Sequence, residues 1–404
     1  MKLPPTIALL LLAPLCGGCG SDNERSGERT SRSSFDFRAF DDAMLKFIAD
    51  HSLRGASAVI VDKDGGLVHT AGYGEFGPER SYLIMSASKI LSVGVIMRLV
   101  DQGLLDIDAP IGDYVSPWGA GKPELTVAQL VSGSSGLVGV IDKVLYAPYA
   151  CQASDSVTLA NCAKTIYAAD DAADRKPPDT EFHYGGGAWQ LAGAVAEVVS
   201  GKPWAELVQE TYASCDVPNL GYRNPLLQVT FDSNPDGSVN ISGIHYPASI
   251  DGNPETLPVT QNPSIEAGAY AKVADYGKIL LMHLRGGTCD RTRVLSEAAV
   301  KRMQVDRILT YGGSTEAQMR ISLAKADAST LERALDFSGY GLGWWINRVH
   351  PGVVLDPGAF GADAWLDVPR GYGAFIAIEG RTVHGAELAQ AVKPVADAAF
   401  DARR

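Results

Sequence analysis

The sequence predicts an α+β protein: an α/β sandwich whose antiparallel sheet is assembled from both chain ends and flanked by helices, with a mostly helical region inserted between those ends. Three observations carry this expectation. Strand patterns sit near the two ends, at 56–61 and 67–72 and again at 352–355, 364–368 and 372–379. Helical patterns fill the middle, and strands and helices come in separate runs. With 404 residues, 46% hydrophobic and 20% charged, the chain can bury a large core.

From the N-terminus, Met1-Lys2 and the apolar run 7–15 have the charged start and short hydrophobic stretch of an export signal, too short to span a bilayer as a mature helix. The run ends in Leu15-Cys16-Gly17-Gly18-Cys19, similar to a bacterial lipoprotein cleavage box with Cys19 as the lipid-bearing residue and Cys16 where that box usually has leucine. Residues 20–34 are polar and read as a flexible tether. The expected organisation is an export signal over 1–19, a tether over 20–34, a sheet domain from 35–110 with 265–404, and a mainly helical inserted domain over 111–264. Export to the periplasm or cell surface follows, with membrane contact only through the lipid. The net charge of −12 leaves no basic stripe for phosphates, so nucleic acid is not an expected partner. Outside the signal, Cys151, Cys162, Cys215 and Cys289 are even in number and would meet an oxidising compartment. Cys151–Cys162 closes a short loop and is the favoured disulfide; Cys215 and Cys289 read equally well as a second bridge or as buried thiols.

Within the sheet domain, 37–51 has helical spacing and 56–72 reads as strand, turn and strand. The stretch 86–103 is helical and apolar on most sides, which makes it central, and Gly103 marks its end. In the middle region, 188–200 forms a helix ended by Gly201. The segment 232–263 is rich in Pro, Gly, Asn and Ser, a long excursion that either covers the site or hangs away from it. A helix over 386–400 closes the chain.

The chemistry starts at Ser86-Ala87-Ser88-Lys89. Three residues is nearly one helical turn, so the serine hydroxyl and the lysine amine share a face. A serine becomes a nucleophile when a base takes its proton, and lysine serves as that base if desolvation or nearby cations lower its pKa. A helix N-terminus favours the oxyanion that develops. The motif alone is weak, with roughly one chance match in a chain of this length. Ser322-Leu323-Ala324-Lys325 repeats it in a polar stretch and reads as a solvated helix or loop.

Context raises the first match above the second. Residues 86–114, SASKILSVGVIMRLVDQGLLDIDAPIGDY, followed by LTVAQLVSGSSGL at 125–137, PPDTEFHYGGGAWQLAGAVAEVVSG at 177–201, NPSIEAGAYAKVADYGKILL at 262–281 and YGLGWW at 340–345, resemble in order and spacing the superfamily of serine β-lactamases, penicillin-binding proteins and family VIII esterases, in its class C β-lactamase branch. The resemblance implies that Ser86 is acylated, that Lys89 and Tyr184 move its proton, and that the backbone N–H groups of Ser86 and Ala359 form the oxyanion hole. No cofactor and no metal are implied. His183, adjacent to Tyr184, points elsewhere on a regular element and reads as structural. Trp344, Trp345 and Trp365 read either as walls of an apolar acyl pocket or as core.

Two departures bear on substrate. Gly186 stands where relatives carry the Asn of a Tyr-x-Asn motif, so the amide that would orient a peptide or lactam is missing. Asp356-Pro357-Gly358 aligns with the third motif, where relatives carry a cation that holds a substrate carboxylate; an Asp would repel it, unless Lys272 fills the space. The expected function is therefore hydrolysis of modest-sized esters through an acyl-enzyme on Ser86. Linear amides or peptides come second, and β-lactam or DD-peptidase chemistry third. A catalytically inactive member that binds cell-wall fragments or a partner is the rival of another class.

Overall fold

The computed structural model describes residues 35–235, 239–311 and 314–403. The expectations for the export signal, Cys19 and the tether lie outside the described residues. The central sheet has seven antiparallel strands: β1 Gly55–Asp62, β2 Gly66–Gly74, β3 Gly339–Tyr340, β4 Trp345–Ile346, β5 Val353–Gly358, β6 Ala362–Asp367 and β7 Tyr372–Ile378. Its order is β3-β4-β5-β6-β7-β1-β2, so the two chain ends meet where β7 pairs with β1, Ala56 opposite Ile378 and Asp62 opposite Tyr372. Both strands of that seam are buried on two faces and read as apolar runs.

The period of two divides the sheet's side chains between two layers. Ala56, Ala58 and Ile60 of β1, with Ala374 and Ile376 of β7, pack under α1 (Arg38–Asp50) and the C-terminal helix Thr382–Asp401, against Phe40, Met44, Leu388 and Val392. Val59, Val61, Phe375 and Ala377 face the other way, onto α2 (Lys89–Asp101) and the helix Val273–Leu284. Gly277 lets that last helix lie directly on β1: a Cβ there would sit 2.9 Å from the methyls of Val59. The same apolar cluster continues without a break into the middle region, through Leu159, Ile166, Leu191 and Trp204. α2 is thus held in the interior, against the helices Gly187–Ser200 and Trp204–Tyr212, with ten of its residues buried.

The excursion 232–263 does not hang away. Its strand Val239–His245 pairs with Thr230–Ser233, and Ile244, Ile250 and Leu257 join Leu83, Met85 and Phe360 in a small cluster beside Ser86. Two helices not expected in detail, Ser314–Ser322 and Ala328–Leu335, bring Met319 and Leu335 into one apolar cluster with Leu355 of β5. Among the described residues no helix is long and apolar enough to cross a membrane.

Both cysteine pairs are bridged. Cys151 joins Cys162 with Cα atoms 5.3 Å apart, and Cys215 joins Cys289 at 5.0 Å, so the bridge reading holds for the second pair and the free-thiol reading does not. The separations of 11 and 74 residues differ in the entropy that each removes from the unfolded chain. By loop closure they contribute about 3 and about 4 kcal/mol respectively. Replacing Cys215 and Cys289 together by serine is expected to lower unfolding free energy more than replacing Cys151 and Cys162, and paired urea titrations at constant pH measure the difference.

Candidate active site

Ser86 lies in a single 3-10 turn, Met85–Ser88, that runs directly into α2, so Ser86 and Lys89 share a face although Ser86 precedes the α-helix itself. The turn is fixed from several directions. Met85 is held at φ 46°, a left-handed conformation that is costly for a non-glycine residue, and the apolar cluster around Phe360 grips its side chain. Tyr276 donates to the carbonyl of Ala87 (2.9 Å), Tyr222 to that of Ser88 (3.2 Å), and the N–H of Ala269 to Ser88 Oγ (3.0 Å). Across the cleft, the end of β5 approaches so closely that a Cβ on Gly358 would lie 2.0 Å from the carbonyl oxygen of Ile84. Only glycine fits there, which explains Gly358 as a close-approach position. Gly358 brings the following Ala359 to the cleft beside Ser86.

Lys89 Nζ donates to Ser86 Oγ at 3.1 Å and stands 4.5 Å from the centre of the Tyr184 ring. It is fully buried. Burial by itself would lower its pKa, but the negative charge that Tyr184, Glu266 and Asp356 carry when ionised outweighs it, and the net direction is upward. The expected lowering of the lysine pKa is therefore not what the site produces: at rest Lys89 is an ammonium. Burial likewise raises Tyr184 above the ordinary phenol value, opposed by Lys89 and by its hydrogen bond with Ser86, so Tyr184 rests as a phenol.

The residue not foreseen is Glu266. Its Oε2 lies 3.1 Å from Lys89 Nζ, its Oε1 accepts the N–H of Gly186 at 2.9 Å, and its backbone carbonyl accepts from Lys89 at 3.4 Å. A Cβ on Gly185 would come within 2.4 Å of Glu266 Oε2. Glycine at 185 is thus required both by that contact and by φ of 74°. The glycine run 185–187 leaves less open room than its composition suggests, because a carboxylate from another part of the chain fills the space. The signal was in the sequence, an acid inside the NPSIEAGAY block, but nothing local tied it to Gly186.

Asp356 needs correction. It is fully buried, with Oδ2 accepting the N–H of Ile90 at 3.3 Å and Oδ1 without a hydrogen-bond partner. Burial holds its pKa well above the carboxylate range against the pull of Lys89. Fully buried and turned onto the Ile90 N–H, the Asp356 carboxyl does not face a substrate in the cleft. Lys272 does not supply the missing cation either, since it pairs with Glu79 (3.0 Å). His183 bonds Asp142 at 2.7 Å, and Asp142 and Tyr184 are tied together by Gln318, which donates to Asp142 Oδ1 (2.7 Å) and accepts the N–H of Tyr184 (2.8 Å). His183 thus belongs to the frame that holds Tyr184. In the second Ser-x-x-Lys match, Lys325 pairs with Asp232 at 3.6 Å and Ser322 donates to the Gln318 carbonyl.

Ser86 opens onto a cleft of about 790 Å³ whose walls near the serine include Val140, Ile141, Trp345, Leu355, Met319 and Phe337. Trp345 stacks on Tyr184 with centroids 5.2 Å apart. Trp365 reaches the cleft while its indole N–H is held by Tyr372 (3.1 Å), whereas Trp344 is entirely core.

A serine, a lysine and a tyrosine gathered at the start of a buried helix, beside the end of an antiparallel strand, define a serine acyl-transfer site on a β-lactamase-type fold. The chain belongs to the beta-lactamase family, whose match spans residues 40–396. It is 26% identical over 275 residues to penicillin-binding protein 4 of Amycolatopsis lactamdurans, covering 63% of this chain and 67% of that one. It is 35% identical over 82 residues, 20% of this chain and 19% of the other, to the esterase/beta-lactamase LipL of Mycobacterium tuberculosis. Among solved structures it superposes on EstCE1, a hydrolase with promiscuous acyltransferase activity, with TM-score 0.63, 16% identity and coverage of 88% and 97%.

Asp363, opposite Pro357 on β6 and 4% exposed, has its carboxyl pushed up to about 8 by burial. The folded chain then holds a proton that the unfolded chain, with an ordinary value of 3.8, has released. Stability is complete below pH 4 and is lost as pH rises toward about 8. Asp363→Asn is expected to remove that loss, with a gap over the parent protein that opens between pH 4 and pH 8 toward an order of 5 kcal/mol. Urea unfolding of both proteins at pH 5, 6, 7 and 8 checks it.

Proposed function

We propose that the protein is an exported serine hydrolase that cleaves carboxylic esters with apolar acyl groups through an acyl-enzyme on Ser86. The observation that carries the reading is the pairing of Ser86 Oγ with Lys89 Nζ at 3.1 Å at the mouth of an apolar cleft. A side chain such as Met319 or Phe337 gains from burying a hydrocarbon acyl chain, at about 25 cal/mol per Å² of apolar surface removed from water. Gly186 offers no side-chain amide to orient a peptide or lactam, and Asp356 offers no cation for a carboxylate. Both omissions count against amide and β-lactam substrates. The relatives named esterase and hydrolase agree with the ester reading, and the one named penicillin-binding protein keeps peptides as the reading to test against.

Ser86 Oγ attacks the ester carbonyl, the oxyanion is held by the N–H groups of Ser86 and Ala359, the alcohol departs with a proton passed along Lys89 and Tyr184, and water releases the acid. Export is supported by the two disulfides, which persist in oxidising compartments. Membrane attachment at Cys19 belongs to the same proposal.

The test is incubation with a fluorophosphonate, a p-nitrophenyl ester series from acetate to decanoate, and a penicillin, followed by intact mass. Labelling at Ser86 is expected, with kcat/KM rising by about tenfold or more from the acetyl to the medium-chain esters, no penicillin adduct, and loss of turnover by about 10³-fold or more in Ser86→Ala. A stable penicillin adduct together with flat ester rates would overturn the substrate assignment. Well-folded protein that neither labels nor turns over any ester would return the inactive binding role to first place.

A further inference from the structure

The resting site poses a problem that the proposed acyl-enzyme chemistry must solve: the amine beside Ser86 already carries a proton. We propose that Glu266 takes that proton and holds it through the catalytic cycle, so that Lys89 acts on Ser86 as a neutral amine; this rests on the reading of Ser86 as the acylated residue. Glu266 is built for the role. Its Oε1 is fixed by the Gly186 N–H at 2.9 Å, which aims Oε2 at Lys89 Nζ, 3.1 Å away. Oε2 receives no hydrogen bond from another group among the described residues and is enclosed by Gly185, whose missing side chain makes the room.

The proton count closes. The Glu266 carboxylate takes a proton from the Lys89 ammonium and becomes a carboxylic acid. The free amine removes the Ser86 proton as the Oγ–carbonyl bond forms, and the resulting ammonium gives that proton to the departing alkoxide, which leaves as the alcohol. In deacylation the amine takes a proton from water as it attacks the acyl carbon and returns it to Ser86 Oγ as the C–O bond breaks. Glu266 then hands its stored proton back. The other titratable groups that face this pair are Tyr184, Tyr340 on β3 and Asp356 on β5; burial raises all three, and the tyrosines stay phenols.

Glu266→Gln keeps an acceptor for the Gly186 N–H and removes both the place for the proton and the negative charge beside Lys89. Lys89 must then release its proton to solvent, which makes acylation pH-dependent. The expected result is a fall in kcat/KM of about 10²-fold at pH 7 with KM within about twofold. The acid limb should move up by at least one pH unit, and the rate should recover toward that of the parent protein as pH rises. Glu266→Asp should restore the original position of the acid limb at a lower kcat. A Gln variant that labels with fluorophosphonate and shows the parent pH profile, or a loss that is the same at every pH, overturns the proton-holding role and leaves Glu266 as a loop anchor. If the parent protein itself neither labels at Ser86 nor hydrolyses esters, the acyl-enzyme reading falls and this inference with it.

Discussion

An ammonium group with no exposure to water is the constraint around which this molecule is arranged. Bringing Lys89 into the seam between α2 and the sheet would cost several kcal/mol if it stood alone. The structure offsets that cost with one carboxylate at contact distance, one serine hydroxyl, one backbone carbonyl and two aromatic faces. These partners come from three stretches of chain, the turn at Ser86, residues 184–189 and Glu266, so the charge is housed only when all three have come together. The apolar layers make the fold stable; the lysine makes it specific about which loops meet at the cleft.

The same logic accounts for the unusual number of buried ionisable groups on the strands next to it. Burial raises the carboxyl groups of both Asp356 on β5 and Asp363 on β6, the first against the pull of Lys89 and the second to about 8. The tyrosines that brace the nucleophile turn, Tyr222 and Tyr276, are likewise held as phenols and act as hydrogen-bond donors to carbonyls that the helix start leaves open.

Much of this was legible in the sequence. Strand positions at both ends followed from period-two apolar runs, and the helix after Ser86 from its even apolar covering, because burial on two sides leaves a pattern in the chain itself. The juxtaposition of Ser86, Lys89 and Tyr184 was readable through the order of the blocks. What stayed hidden is long-range and lacks a local pattern. The short edge strands β3 and β4 carry only two residues each. The direction in which Asp356 points depends on which face of β5 meets α2. The pairing of Cys215 with Cys289 depends on packing across 74 residues of intervening chain. Glu266 was hidden for the same reason: its partner, Gly186, is 80 residues away and is recognisable only by what it lacks.

The contact between Gly185 and Glu266 has a consequence for anyone who would redesign this pocket. The volume beside Lys89 admits one polar side chain, and the chain supplies it from position 266 rather than from the loop after Tyr184. Any side chain placed at 185 would meet Glu266 Oε2 at 2.4 Å, and φ of 74° keeps glycine there whether or not the glutamate remains. Removing Glu266 while the glycines stay leaves a hole beside a charge. The loop after Tyr184 is therefore the fixed wall of this pocket, and variation there has to start from position 266.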